Sequence, residues 1–200
     1  MNMKWIGLTG GLGTGKSTAA NILRELGCIV LDADRMAKDV TGVGTSGLKS
    51  VIQRFGNDFL KPNGELNREK LSQEVFSNPR ALADLEQIIH PLVKAEAERQ
   101  RKQAKIKGSE FVFYDVPLLF EKNISDFDDV VVVVCSEEIQ KQRIQARNQW
   151  SEIEISNRLR NQLPLAVKVK IADYVIENNG SLQDLKVEVE KLLLQLNLKS

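Results

Sequence analysis

Cysteine is scarce in this chain: Cys28 and Cys135 are the only two in 200 residues. Both stand at the edge of apolar runs, CIVL and VVVVC, and read as small buried hydrophobes. Such sparse usage suits a reducing cytoplasm. Histidine is scarcer still, with His90 alone. A surplus of either charge is missing too, because 28 Lys+Arg face 27 Asp+Glu for a net charge of +1. That balance gives no bulk field to draw in nucleic acid or a membrane surface, although a local cationic site remains compatible with it. Long hydrophobic runs are absent. The longest, Val130 to Cys135, is far too short to span a bilayer. The N-terminal MNMKWIGLTGG is broken by glycines at once and does not read as a signal peptide. No internal repeat or low-complexity tract is found.

What is present is ordinary globular material. Apolar residues make up 42% and charged residues 28%, and a chain of this size buries a core without disulfides or metals. Short β-branched runs recur at Lys4–Thr9, Cys28–Leu31, Glu110–Val116, Asp129–Cys135 and Asp173–Ile176. They are continuous rather than alternating, as strands covered on both faces of a parallel sheet are. Helical patterns separate them. Ser151-Glu-Ile-Glu154 and Ser181-Leu-Gln-Asp184 read as capping boxes, the second with Asp in place of Glu. Pro79 and Pro91 each suit a first helical turn. The alternation predicts a doubly wound α/β fold. Residues 36–107 break the rhythm with a long, mostly helical stretch punctuated by turn signals at Gly42-Val-Gly44 and Pro62-Asn-Gly64. Residues 148–163 form a second excursion between the fourth and fifth strands. The expected organisation is therefore one unit over 1–200, with a core of 1–35, 108–147 and 164–200, a helical region at 36–107 and a lid at 148–163.

The strongest motif is Gly10-Gly11-Leu12-Gly13-Thr14-Gly15-Lys16-Ser17, which fits G-x-x-x-x-G-K-[ST]. Each part has a physical task. The glycines let successive backbone N–H groups face one anion, and Lys16 reaches the β- and γ-phosphates of a nucleotide. The Ser17 hydroxyl ligates Mg²⁺, and the helix that follows points its positive end at the phosphates. A random chain of this length would match on the order of 1% of the time. Here an apolar strand runs straight in (WIGLT) and a helical pattern straight out (STAANILREL).

A P-loop alone does not name a reaction. No NKxD sequence is present to read guanine, and the chain is short for a motor ATPase. A small-molecule kinase with a helical acceptor region and a lid remains. Asp32-Ala33-Asp34-Arg35 follows the second strand, where ligands collect in open α/β sheets. One of the two acids could take or orient an acceptor proton, and the bland alternative is helix capping. Arg143 and Arg147 are four apart and share a helix face leading into the lid, where cations neutralise a transferring phosphoryl group. The alternative is a solvated basic face. Asp115 ends the apolar run EFVFY as a Walker B aspartate would, holding Mg²⁺ directly or through water, unless it is a strand-end turn residue. His90, before a proline, is better suited to structure or substrate contact than to base catalysis.

Taken together, these pieces resemble the dephospho-coenzyme A kinases. The matching segments are GLTGGLGTGKST at 7–18, LDADRMAKDV at 31–40, FG at 55–56, NGELNREKL at 63–71, IIHPLV at 88–93, DVPLLFE at 115–121, QRIQAR at 142–147 and ADYVIENNGSL at 172–182. The resemblance implies a five-stranded parallel sheet in the order 2-3-1-4-5, ATP with Mg²⁺ as cofactor, and dephospho-CoA as acceptor. It implies a CoA-binding role for 36–107, Asp34 as catalytic carboxylate beside Lys16, and Arg143 as the lid arginine near the phosphates. Gly11 to Thr18 with Arg143 and Arg147 would hold ATP, and Asp34, His90, Pro117, Leu118 and Glu121 would contact the acceptor. A cytoplasmic enzyme without nucleic-acid or membrane partners is expected, as a monomer, with an oligomer left open. Two departures stand out. NQWS follows Arg147 where the family commonly has an acidic or glycine-containing turn, and 161–171 lacks the acid often found after Gln162. Two rival readings are a kinase for another small acceptor, such as a nucleoside monophosphate, and a nucleotide-binding module without transfer.

Overall fold

A computed structural model describes residues 3–148 and 150–198. Gln149, part of the expected lid, and the first two residues of the expected non-signal N-terminus lie outside them. The elements in chain order are β1 (Lys4–Gly10), α1 (Lys16–Glu25), β2 (Ile29–Asp32), α2 (Ala33–Asp39), α3 (Ser46–Phe55), a short 3₁₀ turn (Asn57–Phe59), α4 (Arg68–Ser77), α5 (Pro79–Ile106), β3 (Phe111–Asp115), β4 (Asp129–Val134), α6 (Glu137–Asn148), α7 (Glu152–Arg160), α8 (Leu165–Ile171), β5 (Tyr174–Glu177) and α9 (Leu182–Leu198). The five strands form one parallel sheet in the order β2-β3-β1-β4-β5, as the resemblance implied.

The sheet forms where the sequence is β-branched and uninterrupted. Val131, Val132 and Val133 are consecutive and all fully buried, so β4 is covered on both faces. On one side, Ile6, Leu8, Val131, Val133 and Ile176 pack with Ala19 and Leu23 of α1 and with Leu185, Val189 and Leu196 of α9. Burial of these side chains supplies ~1.5–3 kcal/mol each relative to exposure, which holds the sheet against chain entropy. Strand β5 departs from the continuous pattern: Tyr174 and Ile176 are buried while Val175 and Glu177 are exposed. It is the sheet's edge, so one of its faces meets solvent.

The chain divides into two compact units, Met1–Leu31 with Ala104–Ser200, and Asp32–Gln103. The second is helical, and Leu48, Val51, Leu66 and Leu71 form a core of its own. Its turn at Gly64 has φ +80°, followed by a bridge between Leu60 and Leu66. Pro79 opens α5 as expected, but Pro91 does not open a helix. α5 runs unbroken from Pro79 to Ile106 with Pro91 inside it. A mid-helix proline removes one backbone hydrogen bond and costs about 3 kcal/mol. Burial of Ala81, Val93 and Ala97 along the same helix offsets that cost. Both capping boxes form. Ser151 and Glu154 bond reciprocally at the start of α7, and Ser181 and Asp184 do so at the start of α9.

Candidate active site

β1 delivers the chain to Gly10, and α1 carries it away from Lys16. The loop between them turns through left-handed backbone at Gly13 (φ +77°) and Gly15 (φ +88°). Side chains are excluded there as well as strained. A Cβ on Gly15 would strike the Asn178 amide, and one on Gly13 would lie 2.6 Å from Ile144 Cγ1. Helix α1 has no side-chain cap and no acidic residue in its first turn. Among the described residues, the N–H groups of Gly13, Gly15, Lys16 and Ser17 meet no acceptor. Those donors and the helix dipole favour an anion at this spot.

The carbonyls of the same loop are each held by another group. Gly10 O accepts from Lys168 Nζ at 3.0 Å. Gly11 O accepts from Thr14 Oγ1 at 2.9 Å, and Leu12 O from Gln140 Nε2 at 2.7 Å. Cys135 Sγ makes a weak contact to Gly13 O at 4.0 Å, and Thr14 O accepts from Asn178 Nδ2 at 2.8 Å. Gly15 O takes the N–H groups of Thr18 and Ala19. A peptide plane whose oxygen is fixed has its N–H fixed on the opposite side. Six consecutive carbonyls held in this way preset the loop for an anion before one arrives. The N–H groups of Leu12, Thr14 and Thr18 face inward acceptors instead: Gln162 Oε1 at 3.1 Å, Gly11 O and Gly15 O. Burial pushes the Cys135 thiol up, against a smaller lowering from Arg143, so it is a neutral packing group.

Charge gathers at the loop's edge. Lys16 Nζ pairs with Asp115, and both side chains are nearly buried. Asp115 stands opposite Leu8 in register at the end of β3, beside the strand that feeds the loop. The following turn is fixed by Thr9 Oγ1, which donates to Pro117 O at 3.2 Å. Leu118 is half-buried, and Leu119 packs against Gly7, where any side chain would collide with it. Glu121 closes the turn. Its Oε1 lies 2.8 Å from Lys168 Nζ and accepts from Leu163 N at 2.9 Å. Burial alone would raise the Glu121 carboxyl. The hydrogen bonds from Lys168 and from backbone N–H groups outweigh it and hold the carboxyl below its ordinary value.

Arg143 and Arg147 both lie on α6. Arg143 donates to Asn178 O at 2.9 Å and to Asn178 Oδ1 at 3.3 Å, beside Gly15. Asn178 thus joins the arginine to the loop carbonyl of Thr14. Arg147 is exposed. In the helical unit the two acids divide. Asp32 caps α2, accepting from Arg35 N at 2.9 Å, while Asp34 is exposed in the first turn and takes no part in capping. His90 is exposed on α5.

The dephospho-CoA kinase family model matches residues 4–184. The chain belongs to the dephospho-CoA kinase family. A dephospho-CoA kinase of Bdellovibrio bacteriovorus is 48% identical over 192 residues, covering 96% of this chain and 95% of that one. A crystal structure from Thermus thermophilus superposes with TM-score 0.81 at 34% identity, covering 98% and 99% of the two chains. The dephospho-CoA kinase of Campylobacter jejuni superposes with TM-score 0.68 at 26% identity, covering 97% of each. The chain is thus a phosphotransferase with a P-loop kinase fold.

The structure also gives roles to residues to which the sequence reading assigned none. Gln140, Gln162, Lys168 and Asn178 position the P-loop, yet none stood out by residue type. The nearest signals are Lys168, a lysine inside the largely apolar helix α8 (LAVKVKI), and Asn178, the first polar residue beyond β5. Both are almost fully buried, and buried polar groups of this kind need partners. Neither partner could be guessed from the local sequence.

Proposed function

We propose that this chain transfers the γ-phosphate of ATP to the ribose 3′-hydroxyl of dephospho-CoA, giving ADP and CoA in the last step of coenzyme A biosynthesis. The observation that carries this is the row of outward N–H groups at Gly13, Gly15, Lys16 and Ser17, with Lys16 and Asp115 at its edge. It lies inside a chain matched to the family over residues 4–184.

Gly11 to Thr18 surround the ATP phosphates, with the unpaired N–H groups as the direct donors. Lys16 exchanges Asp115 for the β- and γ-phosphates. The oxygen donors Ser17 Oγ and Asp115 carboxylate suit Mg²⁺, a hard cation that takes few protein ligands and completes its shell with phosphates and water. Among the described residues no cluster of three or more His, Cys, Asp or Glu forms a self-sufficient metal cage, which fits a cation arriving with the nucleotide. Bound there, Mg²⁺ would neutralise charge on the phosphates. Arg143, held by Asn178, spreads charge on the transferring group, and Arg147 follows it on the ATP side.

Asp34 orients or deprotonates the 3′-hydroxyl. Its carboxylate is exposed and Asp32 already supplies the cap, so it is available for this work. The helical region of 36–107 binds dephospho-CoA, and His90, Pro117 and Leu118 contribute contacts. The excursion of 148–163 acts as a lid. A cavity of about 890 Å³ lies between α6, α7 and the 162–166 segment, with Gly11 of the loop in its lining. Closure would exclude water and limit wasteful hydrolysis. Among the described residues no helix is long and apolar enough to cross a membrane, and the two free cysteines suit a reducing cytoplasm. A monomer suffices for every role assigned.

The test is ADP production by purified protein with Mg·ATP, with and without dephospho-CoA, using AMP and CMP as control acceptors. ADP strictly dependent on dephospho-CoA, with CoA as product, is expected. Turnover with AMP or CMP instead would overturn the acceptor, and ATP binding with no acceptor-dependent ADP would leave a binding module.

A further inference from the structure

Lys168 is a fully buried lysine outside every motif of the chain, and a cation in that position needs a reason. A buried ammonium is costly unless paired and hydrogen-bonded. Lys168 has both: an ion pair with Glu121 at 2.8 Å and a hydrogen bond to Gly10 O at 3.0 Å. Glu121 in turn accepts from the backbone N–H of Leu163. One residue earlier, Gln162 accepts from Leu12 N at 3.1 Å. Three separate stretches therefore meet at this point: the first peptide of the P-loop, the turn after β3, and the segment joining α7 to α8. Gln162 of that joining segment and Lys168 of α8 grip the loop two residues apart, at Leu12 N and Gly10 O.

We propose that Lys168, charge-balanced by Glu121, is a positioning residue for the triphosphate cradle. It touches no nucleotide. It fixes the Gly10 peptide, so that the glycine turn beyond it presents its N–H groups to the phosphates in one orientation. The lysine suits this better than a neutral donor because a charge-assisted bond to a carbonyl is the stronger one. It also ties the loop to the C-terminal end of α7 through Leu163, so the loop geometry and that end of the lid helix share one buried network. Glu121 thereby acts on ATP through Lys168, in place of the acceptor contact that its motif implies. The inference rests on the reading of Gly10–Ser17 as the phosphate cradle.

The experiment compares unmodified protein with Lys168→Met, Glu121→Gln and the double variant. Calorimetry gives Kd for ATP, ADP and inorganic tripolyphosphate, and steady-state kinetics gives kcat with KM for each substrate. Lys168→Met is expected to weaken all three phosphate ligands by a common factor of ~10- to 100-fold, the span of one charged hydrogen bond. KM for dephospho-CoA should stay within about twofold, since uniform loss on the ATP side leaves acceptor binding alone. Glu121→Gln keeps the shape and the bond to Leu163 N, and should show a smaller loss of the same pattern. The double variant should lose no more than Lys168→Met alone, because partners in one pair are not additive. A lowered Tm with unchanged Kd values would reduce Lys168 to a packing residue and overturn the proposal. Additive losses with a raised acceptor KM in Glu121→Gln would also overturn it, returning Glu121 to the acceptor. If Lys168→Met fails to fold, Glu121→Gln decides on the same readouts. Failure of unmodified protein to bind tripolyphosphate would remove the cradle itself, which is a different result from normal binding that Lys168→Met leaves intact.

Discussion

The two units of this chain treat their chemically active groups in opposite ways. In the P-loop unit, each loop carbonyl from Gly10 to Gly15 is held, and the holders Gln140, Lys168 and Asn178 are buried. In the helical unit, Asp34 is exposed, while Asp32, Thr45 and Asn67 do the local structural work of capping helices. Phosphate binding by backbone N–H groups demands a fixed array, because the donors cannot reorient singly. A carboxylate that meets a substrate hydroxyl needs only to be available in the right protonation state. On the roles proposed, the first region carries its function in its packing and the second in a side chain placed on packed helices. Mutations should therefore behave differently in the two.

The largest effect is expected from Lys16→Ala. It removes the cation aimed at the phosphates and with it the nearly buried ion pair to Asp115. Loss of one such electrostatic donor lowers kcat by ~10²–10³, and kcat/KM should fall at least to the upper end because ATP affinity falls too. Retained turnover would dissolve the contrast, since the most tightly built region would then prove dispensable. Next comes Asp34→Asn. It should lower kcat by at least ~10²-fold, within the usual range for acid–base groups. Kd for ATP and Tm should be unmoved, because the side chain caps nothing. Near-normal kcat would remove Asp34 from catalysis, and a large drop in Tm would mean that the helical unit also hides its chemistry in its packing.

Much of this was legible in the sequence, and the divide between legible and illegible follows the range of the forces. Strands β1, β3 and β4 are read to within about two residues because burial on both faces demands uninterrupted β-branched residues. The P-loop is read because its glycines, lysine and serine are consecutive. The helical region expected at 36–107 compares with a compact unit at 32–103. Pro91 misleads because local stereochemistry argues for a helix start where burial along α5 wins. The carbonyl holders are illegible for another reason. Gln140, Lys168 and Asn178 reach their partners across 128, 158 and 164 residues of chain. No local pattern encodes such pairs, and only the sheet order brings them together. The same holds for Glu121, whose motif points to the acceptor while its carboxylate lies on Lys168.

A smaller effect separates the units by stability alone. Thr45 caps α3, with Oγ1 accepting from Leu48 N at 3.1 Å and donating to Gly42 O at 2.8 Å. Thr45→Ala should cost ~1 kcal/mol, the usual value for a lost N-cap. Differential scanning calorimetry should show that loss while Kd for ATP stays constant. A parallel loss of ATP affinity would mean that the helical unit's stability is transmitted to the cradle.

The smallest effect sets one carboxylate of each unit against the other in pH and salt. Glu96, on α5, is pulled down to about 2 by hydrogen bonds from Arg99 and then Gln100, on an exposed helix face. Glu121 is also lowered, but in a nearly buried pair with Lys168. A carboxyl whose folded pKa lies below its unfolded value of about 4.3 contributes stability above that value. The contribution is lost as pH falls through the folded pKa. Unmodified protein should therefore lose stability as pH drops from about 5 towards 2, and Glu96→Gln and Glu121→Gln should each flatten part of that slope. Salt tells the two apart. An exposed pair is screened at ~0.5 M, where the Debye length is only a few ångströms, whereas a buried pair is screened much less. Thermal melts at low and high salt should make Glu96→Gln indistinguishable from unmodified protein at high salt, with the Glu121→Gln deficit persisting. Loss of the Glu121→Gln deficit at high salt would show that the Lys168 network admits solvent, and the P-loop unit would then resemble the helical unit in the one respect that separates them.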